Sequence, residues 1–93
     1  MYIVKIKYLY PMLTPHKTVS IPPQLGIKPS YLAEQLDCST ETILRNIKRD
    51  PSERLYLRAF KVSTYEYRIN WEDAIDFISR NYVGVEITLR QSA

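Results

Sequence analysis

Five of the six prolines fall between positions 11 and 29, at Pro11, Pro15, Pro22, Pro23 and Pro29. Each fixes its own φ, withholds a backbone N–H and pushes the residue before it away from helical geometry. The stretch is therefore predicted as an extended connector that wraps the domain surface, bent at Pro22, Pro23 and Gly26, with a short strand at Thr18 to Ile21. It organises the chain into an N-terminal strand and connector over 1–28, a central part over 29–82, and a C-terminal strand and tail over 83–93. All belong to one compact domain, since 93 residues supply one modest core.

The connector delivers Pro29 to Arg49, PSYLAEQLDCSTETILRNIKR, which reads as two short helices joined by a tight turn. Ser30 stands at the mouth of the first, where its hydroxyl can accept a free N–H of the first turn. Leu32, Ala33 and Leu36 form its apolar stripe, and the small Ala33 lets a second helix cross closely. Asp37 and Cys38 make the break, because Asp tolerates the left-handed backbone of a sharp turn. Ser39 caps the second helix, predicted over 39–49, with Glu41 at the positive end of its dipole. Ile43 and Ile47 are its buried pair, and Thr40, Glu41, Leu44, Arg45, Lys48 and Arg49 occupy the other side. This is helix-turn-helix spacing, whose second helix enters a DNA major groove; an ordinary helical hairpin with a solvated basic face has the same pattern.

Charge distribution bears on that choice. Residues 1–28 carry four Lys and no acid, 29–44 sum to −3, 45–68 hold seven Lys or Arg against three acids, and 69–80 sum to −2. A basic segment beside an acidic one is the footprint expected for phosphate contact, although solvated surface also accounts for a basic run.

Around the helices the period changes to two. Met1 to Tyr10 alternates Tyr2, Val4, Ile6 and Tyr8 against Ile3, Lys5, Lys7 and Leu9, which reads as a strand. Leu55 to Val62 and Tyr65 to Ile69, joined by Ser63 and Thr64, read as a β-hairpin whose outer surface carries Arg54, Arg58, Lys61 and Arg68 with several tyrosines. Asn70 caps a third helix with Trp71, Ala74, Ile75, Ile78 and Tyr82 inward and Glu72, Asp73 and Asp76 outward. Val83 to Arg90 is a strand with Val83, Val85, Ile87 and Leu89 on its buried side.

The pieces YLAEQL, CSTETILRNIKR, AFKV and EYRINWEDAIDFI together resemble the winged helix-turn-helix DNA-binding domains of the excisionase group (recombination directionality factors) and their MerR-like relatives. The resemblance runs from Tyr31 to Ser79, about half the chain, and is most specific where the hairpin meets the third helix. It implies an α+β winged helix-turn-helix of three helices and a two-stranded wing, here with added N- and C-terminal strands. It further implies architectural DNA binding, with the recognition helix in the major groove, the wing on the adjacent minor groove or backbone, and several copies along a site. Thr40, Glu41, Leu44 and Arg45 then fall on the base-facing turn, Lys48 and Arg49 on the backbone-facing end, and Arg58, Lys61, Thr64 and Arg68 on the wing. Three departures from the family pattern are Asp37 where the turn often has Gly, a longer wing loop without glycine, and the 28 residues that precede Pro29.

The expected function is sequence-specific DNA binding in recombination or transcription regulation, of the kind found in phages and mobile elements. Its partners are double-stranded DNA and a recombinase or another copy of itself. The alternative is a protein-interaction adaptor that uses the terminal strands, with Tyr2, Tyr8, Tyr10, Tyr65 and Tyr67 as packing and interface residues. An enzyme is not expected, because no Ser, His and Asp arrangement, phosphate loop or paired carboxylates stand out. Neither is a metal, another cofactor or a small-molecule substrate: His16 is the only histidine and Cys38 the only cysteine, the latter read as a small buried packing residue. No apolar run approaches the roughly 18 residues of a membrane helix and no signal-peptide pattern opens the chain, so the expectation is a cytoplasmic protein without membrane contact.

Overall fold

The proline-rich connector contains a core strand. In the computed structural model, which describes residues 3–7 and 17–90, β1 (Ile3–Lys7) and β2 (Lys17–Ile21) flank β5 (Val85–Arg90) in a three-stranded sheet of order β1-β5-β2. Of the predicted first strand and connector, Met1, Tyr2, Tyr8, Leu9, Tyr10, Pro11, Pro15 and His16 lie outside the described residues. β1 runs antiparallel to β5, Ile3 opposite Arg90 and Lys7 opposite Glu86, so the terminal strands pair within the chain. β2 runs parallel to β5, Lys17 opposite Val85 and Ile21 opposite Leu89. A parallel pair requires a long crossover, and that crossover here contains all three helices and the hairpin. Val19, Ile21, Val85, Ile87 and Leu89 form the apolar side of the sheet. Val83, expected with them, is 70% exposed, because Gly84 at φ 86 turns the chain before β5 begins. The outer edge of β2 is covered by the first helix: Ser20 N–H donates to Gln35 Oε1 at 3.0 Å, and the Tyr31 hydroxyl donates to the Ser20 carbonyl at 2.6 Å. Such cover removes a ready template for edge pairing.

α1 (Pro29–Gln35) starts two residues earlier than a Ser30 cap implies. Lys28 is its N-cap, without a side-chain cap, and Pro29 occupies the first helical position, where a missing N–H costs nothing. At its other end Asp37 adopts φ 55. Cys38 N–H returns to the Ala33 carbonyl at 3.0 Å and Asp37 N–H to that of Glu34 at 3.3 Å. These bonds form a Schellman closure with Asp37 at the position usually held by Gly. Cys38 is half-buried rather than buried. One residue on, Ser39 Oγ accepts the Thr42 N–H at 3.1 Å and opens α2 (Thr40–Ile47). α2 ends before Arg49 because Asp50 precedes Pro51 and starts a new turn. In that turn Glu53 Oε2 accepts the Asp50 N–H at 3.0 Å, and the Ser52 backbone and hydroxyl donate to Asp50 Oδ1, holding its carboxyl below the usual range.

The strand predicted over Leu55 to Val62 is replaced by an irregular run to Ala59, and only Phe60–Ser63 forms β3. Other elements satisfy the backbone of the irregular run. Leu57 N–H donates to the Asn46 carbonyl at 3.1 Å, and the Tyr56 carbonyl accepts from Arg80 Nη2 at 2.9 Å. Leu57 is thereby drawn fully into the core. β3 pairs with β4 (Glu66–Arg68) through a register shift between Lys61 and Ser63, so the turn sits at Thr64 and Tyr65, one residue later than expected. Ile69 then exchanges 2.8 Å backbone bonds with Ile27, which fastens the base of the hairpin to the connector.

α3 (Trp71–Asn81) is capped by Asn70, whose side chain accepts the Glu72 N–H at 3.3 Å. Its inner face is Ala74, Phe77 and Ile78; the predicted Trp71, Ile75 and Tyr82 are only half-buried. The fully buried side chains Val19, Ile21, Leu32, Ile43, Leu57, Ile69, Phe77, Ile78 and Ile87 come from both layers of this α+β domain and join in one core.

Candidate functional site

The burial of Ile43 and Ile47 fixes which way α2 faces. Their periodicity turns Glu41, Arg45 and Lys48 to solvent, with Leu44 half-buried between them against the core. Glu41, Leu44, Arg45 and Lys48 line one open depression of about 340 Å³. Thr40 is exposed at the helix start.

A groove of about 250 Å³ separates this helix from the hairpin, lined by Lys28, Pro29, Ser30, Thr40 and Leu44 on one side and Tyr65, Glu66, Tyr67 and Arg68 on the other. Leu44 belongs to both concavities, so the α2 face and the hairpin form one continuous surface. On the hairpin, Arg68 donates to the Tyr67 carbonyl at 2.9 Å and to Glu66 Oε2 at 3.2 Å. An ion pair this exposed adds little stability, but it orients the guanidinium along the groove. Lys61 Nζ lies 5.4 Å above the centre of the Tyr67 ring, a cation–π contact that fixes its charge on the strand. Thr64 is exposed in the turn beside Tyr65.

Thr40, Leu44 and Arg68 line the groove and Glu41, Leu44, Arg45 and Lys48 the depression that adjoins it, Lys61 stands over the groove residue Tyr67, Thr64 is exposed at the hairpin turn, and two predicted residues do not join this surface. Arg49 turns back into the turn after α2: Nε donates to Asn46 Oδ1 at 2.9 Å and Nη1 to Glu53 Oε1 at 3.2 Å. Arg58 precedes the hairpin instead of lying on it, and lines a separate hollow of about 490 Å³ with Leu25, Ala59, Phe60, Asn70, Glu72 and Asp73. There burial pushes the Asp73 carboxyl above the usual range, the Arg58 charge pulls it down, and Asp76 and Glu72 push it up. Arg54, read as part of the hairpin surface, bonds the Arg80 carbonyl at the end of α3. The structure adds Lys28, Ser30 and Tyr65 to the groove. Lys28 and Ser30 carry no periodic signal, and Tyr65 resembles any strand aromatic until the turn is located.

Burial first, and then the Asp37 charge, raise the Cys38 thiol, which disfavours the reactive thiolate. Among the described residues no three His, Cys, Asp or Glu come together as a metal site, and no helix is long and apolar enough to cross a membrane. Comparison with protein-family models, with curated proteins and with solved structures finds no match to this chain.

Proposed function

We propose that this chain is a sequence-specific DNA-binding protein built as a winged helix-turn-helix, excisionase-like or a small transcriptional regulator. In this reading α2 enters the major groove and the β3–β4 hairpin is the wing on the adjacent minor groove or backbone. The observation that carries it is the continuity of the two basic elements: Arg45 on α2 and Lys48 at its C-cap, and Arg68 on the hairpin, joined across the groove that Thr40 and Leu44 line, with Lys61 over the groove residue Tyr67. Glu41 lies within the α2 depression and Glu66 within the groove, the latter paired with Arg68, while the exposed acids Glu72 and Asp76 belong to α3, outside both concavities.

An α-helix fits the roughly 12 Å width of the major groove, and its N-terminal turn is the part that meets base edges. Arg45 has the fork to pair with two acceptors on guanine, while Lys48, Lys61 and Arg68 supply phosphate contacts. The protein works by positioning DNA, without a catalytic step and without a cofactor. The terminal strands pair with each other and the β2 edge is covered by α1, which supports this reading over the adaptor one.

The test is selection from a random duplex pool at two salt concentrations, with the bound fraction sequenced. One enriched motif, with affinity falling steeply with salt, is the expected result. No retention at low salt would reject DNA binding.

A further inference from the structure

The hairpin exposes apolar side chains, and Tyr65 at its turn is the most exposed of the large hydrophobic residues described. All four β3 residues are exposed, Val62 to 52% and Phe60 to 43%, and Tyr65 in the turn reaches 91%. A tyrosine that solvated contributes almost nothing to the core, so packing does not explain it. The tip also lacks what a phosphate clamp needs. Val62, Ser63, Thr64 and Tyr65 carry no charge, and the nearest cation, Lys61, is held back over the Tyr67 ring. Cations flank the tip from behind instead, with Arg68 on β4 and Lys28 across the groove.

Resting on the DNA-binding reading above, we infer that Tyr65 is a wedge that enters the minor groove at the wing tip and unstacks a base step, bending the duplex. Paired strands lie about 4.8 Å apart before side chains are added, and the minor groove of B-DNA is about 6 Å wide. The hairpin body does not fit, and the turn residues alone reach the groove floor. An aromatic ring arriving there has bases as its apolar surface, and inserting it opens a step and widens the groove. The flanking cations hold the phosphates on either side of the opened step. Glu66, the acid nearest the tip on β4, is paired with Arg68, which reduces its repulsion of the DNA backbone. The wing then deforms DNA, and it contributes preference for flexible pyrimidine–purine steps that no side chain reads directly.

The experiment uses the full chain and a duplex recovered from the selection, with 2-aminopurine placed at successive steps beside the major-groove motif and a dye pair at the two ends. The wild type is expected to raise 2-aminopurine fluorescence at one step and to shorten the end-to-end distance. Tyr65→Ser should lose both signals and bind about ten- to a hundredfold more weakly, with the salt slope unchanged. Tyr65→Phe should keep both. Unstacking and bending that persist in Tyr65→Ser, or a wild type that binds the duplex and leaves it straight and stacked, would overturn the wedge while leaving DNA binding intact. A wild type that retains no duplex at low salt would overturn the wedge together with the reading beneath it.

Discussion

Arg54 and Arg80 each donate to the other's backbone carbonyl. Arg54 Nε and Nη2 reach the Arg80 carbonyl at 3.0 and 2.7 Å, and Arg80 Nη1 returns to the Arg54 carbonyl. Asn81 Nδ2 adds a second donor to the Arg54 carbonyl at 3.1 Å, and Arg80 also holds the Tyr56 carbonyl and Asp76. The exchange puts positive charge and donors on the open carbonyls at the end of α3, and it replaces the strand ladder that residues 54–57 lack. Arg80→Ala should cost about 1.5–3 kcal/mol, since it strips donors from two loop carbonyls, and Arg54→Ala about 0.5–1.5 kcal/mol. Urea unfolding of both single variants and the double one measures this, with non-additive losses expected. Arg54→Ala should leave the salt slope of DNA binding unchanged, since its guanidinium is tied to α3.

Arg45 on α2 and Lys48 at its C-cap are both exposed in the same depression, and they are expected to behave differently. If Arg45 pairs with a guanine, Arg45→Ala relaxes selection at one base pair by about 1–3 kcal/mol. Lys48→Ala and Lys61→Ala should weaken all sequences alike and reduce the salt slope by about one unit each. Competition binding against single-base variants of the selected site at several salt concentrations separates the two. Equal effects of Arg45→Ala and Lys61→Ala on preference would sink the division of labour.

Phe77 was absent from the predicted stripe of α3, yet it is fully buried and its ring centre lies 6.1 Å from that of Tyr82. A stripe that starts at Trp71 lies too far round the helix, because Trp71 and Ile75 are as apolar as the core positions and differ from them only in being half-buried. Phe77→Ala should cost about 3–5 kcal/mol, the usual loss for emptying an aromatic core site. Trp71→Ala should cost clearly less. Thermal unfolding of the two variants ranks them.

Local signals were the legible ones. The Ser39 and Asn70 caps, the Ile43 and Ile47 pair, the break at Asp37 and Cys38, and the terminal strands each follow from a few neighbouring residues. What the sequence hid is long-range. Nothing in Thr18 to Ile21 says that this strand lies parallel to β5, and nothing in Leu55 to Ala59 says that Asn46 and Arg80 take its backbone bonds. The candidate site divides the same way: helical period placed Arg45 and Lys48 on one face, whereas the fates of Arg49 and Arg58 depended on a turn and on α3.

Asp73 is the third residue of α3, in its first turn, where a negative charge suits the helix dipole, yet burial outweighs that benefit and raises its carboxyl. A carboxyl raised in the fold contributes its stability in the protonated form, fully present below the unfolded pKa and lost as pH rises through the folded one. Arg58 is the opposing influence, so Arg58→Ala should move the Asp73 titration further up. Carbon-detected NMR of the side-chain carboxyls reads both positions. An Asp73 that titrates in the ordinary range, unchanged by Arg58→Ala, would contradict this account.

Asp37 sets how α2 leaves α1, and it does so at a backbone angle that L residues adopt at some cost. The bonds of the closure run from the Asp37 and Cys38 N–H groups to Glu34 and Ala33, and Gly adopts this φ without the penalty of a Cβ. Asp37→Gly should therefore preserve the turn, its relief of backbone strain partly offset by the greater freedom of the unfolded chain. Asp37→Ala keeps the Cβ and loses the polar group that eases this conformation, and should be less stable than the Gly variant by about 1 kcal/mol. Chemical denaturation ranks the pair, and DNA binding supplies an independent reading. If the turn fixes the presentation of Arg45 and Lys48, Asp37→Gly keeps the wild-type motif in the duplex selection, while a bulky Asp37→Val weakens binding out of proportion to its loss of stability.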